Sequence, residues 1–153
     1  MPYKRTKDKA NLVVQWKLKS SRKPFYFHVF LWKTQEAFDK NTLDNNPGEA
    51  LGCANLAPDI ICFNTVTKEE TQIIRPKLGE IHFIKGKWNM EIVAHELMHA
   101  IIHRIRLMAK PTFEEIANQE GDSEEEICWE FGWWVDQIYR LLWDTDPFKK
   151  VRK

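Results

Sequence analysis

From Leu12 to Lys19 the chain reads Leu-Val-Val-Gln-Trp-Lys-Leu-Lys, and apolar and polar positions come to alternate toward its end. That period predicts a half-buried strand. Ser20-Ser21-Arg22-Lys23 suits a hairpin loop, and after Pro24 the nearly unbroken apolar run Phe25–Trp32 predicts a second, more deeply buried strand. A short helix is expected over Thr34–Lys40, ended by the turn-rich Asn45-Asn46-Pro47-Gly48. Ile60–Asn64 and Gln72–Ile74 read as short strands, and Gly79–Gly86 as a clearer one, with Ile81, Phe83 and Lys85 opposite Glu80, His82 and Ile84. Asn89 is a fair N-cap for a helix over Met90–Met108, which stops before Lys110-Pro111. Pro111–Gly121 is expected to be a loop. Asp122 or Ser123 then caps a last long helix to about Trp143, with Pro147 beyond it. The class is α+β, a mostly antiparallel sheet followed by two long helices, in one domain over residues 1–153.

Composition agrees with a folded domain: 153 residues, 43% hydrophobic and 29% charged. With 23 basic and 22 acidic side chains the net charge is +1, so bulk charge demands no nucleic-acid partner. The charge is unevenly placed, however. Eight Lys and Arg load the first 23 residues against Asp8 alone, and Lys149, Lys150, Arg152 and Lys153 load the end. Glu114–Glu130 holds seven glutamates and Asp122 with no Lys or Arg. The basic tails, about 1–10 and 148–153, read mainly as solvated, and they are the only support for a nucleic-acid partner. No apolar run is long enough to cross a bilayer and no apolar stretch follows the basic N-terminus, so the expected setting is cytoplasmic. Cys53, Cys62 and Cys128 form no CxxC pair and are expected to be buried, reduced thiols. Most of the seven tryptophans should be core anchors, with Trp88, Trp133 and Trp134 able to line a groove.

His95-Glu96-Leu97-Met98-His99 is HExxH, within the segment expected to be helical. Residues four apart lie on one helix face, about 6 Å apart along the axis, so the two imidazoles can converge on one tetrahedral Zn²⁺. Glu96 is then placed to reach a water on the metal's open position, as general base and later acid. His103 lies about 12 Å along the axis from His95, too far to share the ion. A third ligand is needed, and Glu125 lies on one stripe with Cys128, Gly132, Val135 and Tyr139, where small residues would let two helices approach closely. Glu124, nearer the bulky face, is the rival. For an oxyanion donor, Tyr139, His103, Arg104 and His82 stay open.

The pattern His95-Glu96-x-x-His99, then Glu125-x-x-Cys128-Trp129-x-x-Gly132, resembles small gluzincin-type metallopeptidases, the ImmA/IrrE-like enzymes and compact HExxH proteins of phages and mobile elements. The resemblance covers about Gly79 to Trp143, and Trp129 stands where an Asn is common in the ImmA pattern. It implies a zincin-like fold, a zinc held between the motif helix and the following one by His95, His99 and Glu125, and a peptide or protein substrate. Zincins also bind extended peptides on the sheet-edge strand beside the motif helix, for which Gly79–Lys85 is the expected strand. The rival from another class is a non-catalytic, zinc-stabilised binding or regulatory module, with a DNA-associated protease as a third reading.

Overall fold

The computed structural model describes residues 9–42, 48–57, 60–108 and 112–146. Their element order is β1 (Leu12–Lys19), β2 (Tyr26–Trp32), α1 (Gln35–Asn41), β3 (Gly52–Leu56), β4 (Ile60–Phe63), β5 (Glu70–Ile73), β6 (Lys77–Ile84), α2 (Met90–Met108), α3 (Phe113–Ala117) and α4 (Ser123–Thr145). The class is α+β. A four-stranded sheet has the order β1-β2-β6-β3, and β4 pairs with β5 in a separate hairpin. The sheet is mixed: β2 and β6 run parallel, while β1 with β2 and β3 with β6 are antiparallel. No helix among the described residues is long and apolar enough to cross a membrane.

β2 and β6 are built to be covered on both sides. Phe27, Val29 and Leu31 of β2 and Ile81 and Phe83 of β6 form the main core with Val93, Leu97, Ala100 and Ile101 of α2 and Trp134, Ile138 and Leu142 of α4. On the other face Phe30, Trp32 and Ile84 meet Ala37 and Phe38 of α1. Burying one such side chain contributes about 1.5–3 kcal/mol, so these two layers dominate the stability. His82 belongs to the α1 face: its ring stacks on Phe30 at 4.9 Å, and its Nδ1 accepts from the Trp32 indole at 3.0 Å.

This layout corrects the expectation that Gly79–Lys85 is an edge strand. β6 is internal, between β2 and β3. The reason is visible in its residues, because Ile81 and Phe83 bury on one face while His82 and Ile84 bury on the other. A strand apolar on both faces gains most from neighbours on both edges and cover on both sides. The free edge next to α2 is that of β3.

α2 and α4 pack antiparallel. At one end, the buried Asp146 accepts from the Gly86 amide at 2.6 Å and the Trp88 indole at 2.7 Å, just before α2 begins. At the other, Arg104 of α2 is wholly buried and pairs with Glu126 at 3.0 Å and Glu130 at 2.7 Å near the start of α4. Glu130 also accepts from the Ser20 hydroxyl and the Ser21 amide, which ties α4 to the β1–β2 turn. Arg22 pairs with Glu126 at 2.7 Å, and with Arg104 it holds that carboxyl below the ordinary glutamate range.

Two expectations on thiols and tryptophans change here. Cys62 and Cys128 are exposed and Cys53 is only half-buried, so the expectation of three buried thiols does not hold. Trp32, Trp88 and Trp134 are fully buried, whereas Trp129, Trp133 and Trp143 face solvent from α4. Pro147 and the basic tails expected at about 1–10 and 148–153 fall largely or wholly outside the described residues.

Candidate metal centre

The segment carrying HExxH is helical because its apolar residues recur every three or four positions and its start is capped. The Ile92 amide donates to the Asn89 side chain at 2.8 Å, as expected from sequence. On this helix His95 and His99 stand on the solvent-facing side with their Nε2 atoms 3.2 Å apart and their rings nearly perpendicular, at 77°. Two nitrogens at about 2.0–2.1 Å from one tetrahedral ion lie about 3.3–3.4 Å apart. The observed separation is close to that of two nitrogens sharing one zinc. Without metal, the contact works as a hydrogen bond with one ring donating and the other accepting.

Glu96 lies beside this pair but is buried, 7% exposed. Burial raises its pKa above the ordinary value and the nearby His95 partly opposes this. A cavity of about 170 Å³ opens here, lined by Leu51, Gly52, Glu91, Ile92, His95 and Glu96. Gly52 makes room for the acid: a Cβ there would lie 2.9 Å from Glu96 Cγ and Ile92 Cγ2 and 3.0 Å from Glu96 Oε1. Sequence reading missed Gly52, although a glycine opening a strand is a known sign of close approach. A side chain at Gly52 would therefore displace the Glu96 carboxyl, the Ile92 side chain or β3 itself.

β3 runs alongside the histidines. Its first residue, Gly52, sits against Ile92 and Glu96, and just past its end the Ala57 carbonyl is 2.8 Å from His103 Nε2. Along α2, His95 and His99 lie between the levels of these two anchors. His103 therefore fastens the strand to the helix.

The other residues expected at the site lie elsewhere. Glu125 is exposed, one residue before the Glu126 that pairs with Arg104. Arg104 lies about 7.5 Å along the axis beyond His99, and about 140° around the helix from His99 and 180° from His95. Antiparallel packing through Arg104 thus directs the start of α4, Glu124 and Glu125 included, away from the histidine face. Among the described residues no group of three or more His, Cys, Asp or Glu is placed to hold one ion. Arg104 is engaged by Glu126 and Glu130, His82 is on the far face of the sheet, and Tyr139 packs edge-on against Trp88 at 5.6 Å. No family model, curated protein or solved structure matches this chain.

Proposed function

We propose that the chain is a zinc-dependent peptidase in which His95 and His99 hold the metal and Glu96 is the general base. The observation carrying this reading is the 3.2 Å convergence of the two Nε2 atoms beside a buried carboxylate. Zinc, when bound, supplies a Lewis acid and a water acidified toward neutral pH. Glu96, buried beside the two histidines and bordering the cavity, would be the group that takes a proton from a metal-held water and returns it to a leaving amine. β3, the end strand of the sheet next to α2, is the dock this reading assigns to an extended peptide.

The reading keeps the zincin-like character that the motif suggests and needs a third donor beyond the two histidines. Glu125 is the ligand expected from sequence, and its packing in this fold argues against it. Zinc uptake by Glu125→Ala and Glu124→Ala separates the cases: a large loss in either variant restores that glutamate to the site, and unchanged uptake in both removes them. The reading itself is tested by peptidase assay of the zinc-loaded chain on an unstructured protein substrate. Chelator-sensitive cleavage is expected, and no cleavage by fully loaded protein over a broad set of substrates would count against the enzyme.

A further inference from the structure

The face of the sheet turned away from α2 carries groups that the proposed chemistry does not use. Along β2, Tyr26, His28, Phe30 and Trp32 alternate onto this face, and α1 packs against only the last two. Tyr26 and His28 stay half-buried, their ring centres 5.2 Å apart. Strand pairing sets Lys19 of β1 beside Tyr26 and Lys17 beside His28, with Lys77 of β6 on the other side of Tyr26. Lys77 is paired with Glu80 at 2.8 Å. Lys17, Lys19 and Lys23 form no ion pair among the described residues, and Lys17 Nζ rests 3.9 Å from the centre of the Tyr26 ring. These three lysines border a cavity of about 270 Å³ whose remaining walls are Ser20, Pro24, Phe25 and Tyr26, with no acidic residue among them. Burial and then Lys77 hold the His28 imidazole below its ordinary pKa, against Glu80 and with a smaller push from Lys17, so the ring is uncharged near neutral pH.

We propose that this uncovered part of the sheet binds single-stranded nucleic acid, with a base stacked on Tyr26 and the neighbouring phosphates held by Lys17, Lys19 and Lys23. The combination of groups selects the occupant. Ammonium groups alone suit any polyanion, whereas an aromatic wall between them suits one whose charges alternate with planar rings. A duplex offers phosphates but keeps the faces of its bases inside the stack, and an acidic peptide offers carboxylates without a regular series of rings. A base stacks on Tyr26 only if Lys17 leaves the ring, and the magnitudes favour that exchange. An ammonium over an exposed ring contributes about two- to fivefold in affinity, a stacked base roughly five- to a hundredfold. The displaced Lys17 ammonium is then free to meet a phosphate. His95, Glu96 and His99 take no part, since α2 packs on the opposite face of the sheet, so this binding needs no metal.

Fluorescence anisotropy of a labelled oligothymidine of about 12 nucleotides, titrated with the full tag-free chain without added metal, tests this. Saturable binding at micromolar chain is expected in low salt. With three phosphates engaged, affinity should fall about twentyfold between about 50 and 200 mM salt. Tyr26→Leu should weaken binding roughly five- to a hundredfold, and Tyr26→Phe should keep it. Lys19→Gln and Lys23→Gln should each weaken it and lower the salt dependence by about a third. Both lysines are exposed, so their variants stay folded and decide the case even where Tyr26→Leu disturbs the strand. No binding in low salt up to millimolar chain would overturn the proposal. So would binding that survives the loss of both lysines, which would place the contact elsewhere on the chain. Equal affinity for a duplex or for polyglutamate, with Tyr26→Leu neutral, would overturn it as well by showing a general polyanion surface.

Discussion

Glu96→Gln should retain zinc and lose peptidase turnover by about 10²- to 10⁴-fold, the usual contribution of a positioned general base. Glutamine matches the shape of glutamate, so the contacts with Gly52 and Ile92 that position the side chain persist, and only the ability to take a proton is removed. Because the metal is assigned to His95 and His99, uptake should be the same in both proteins. A variant that binds zinc and cleaves as fast as the parent would show that Glu96 takes no part. A variant that binds no zinc would instead make Glu96 part of the metal shell. Measuring metal content and turnover on the same preparation distinguishes the two.

Arg104→Ala should destabilise the fold by about 3–5 kcal/mol, the usual loss when one partner of a buried ion pair is removed. For a chain of this size that corresponds to a fall in melting temperature of roughly 6–20 °C. The magnitude comes from what remains: Glu130, 3% exposed, keeps the Ser20 hydroxyl and Ser21 amide but no cation at contact distance. Glu126 suffers less, being partly exposed and still paired with Arg22. Adding Glu130→Met to an Arg104→Met variant should recover most of the loss, since replacing both partners leaves no stranded charge. A loss below about 1 kcal/mol for Arg104→Ala would show that water reaches Glu130 and that the pair is not what locks α4 to α2.

That lock explains why the site was only partly legible in sequence. His95, Glu96 and His99 depend on a spacing within a single helix, so local periodicity and the Asn89 cap suffice to place them. Glu125 depends on how two helices pair. The stripe argument fixed which residues share a face of α4, but not the level at which that face meets α2. The missing signal was Arg104 with Glu126 and Glu130, one cation and two acids four apart, which set the register by pairing. The start of α4 is held at the far end of α2, where Glu125 is exposed, while Val135 and Tyr139 of the same stripe pack against the core.

The fold divides in the same way. β1, β2, α2 and α4 follow long apolar patterns and were readable to within a few residues. β3 was not, because Gly52, Cys53 and Asn55 have little strand preference, and the segment is held by pairing with β6 and by His103. α3 falls where a loop is expected: Thr112 and Glu115 form a capping box around its first turn, a signal only one turn long beside Pro111. The parallel pairing of β2 with β6 is a long-range choice, made by two strands that bury both of their faces.

The central claim is that His95 and His99 form a metal site, and its most direct measurement is zinc per chain in purified, tag-free protein beside His95→Ala and His99→Ala. The account predicts about one zinc per chain for the parent, and loss of it in both variants with the fold retained, since both side chains are exposed and outside the core. A parent chain that is folded yet takes up no zinc, or a stoichiometry unchanged by either substitution, would contradict it.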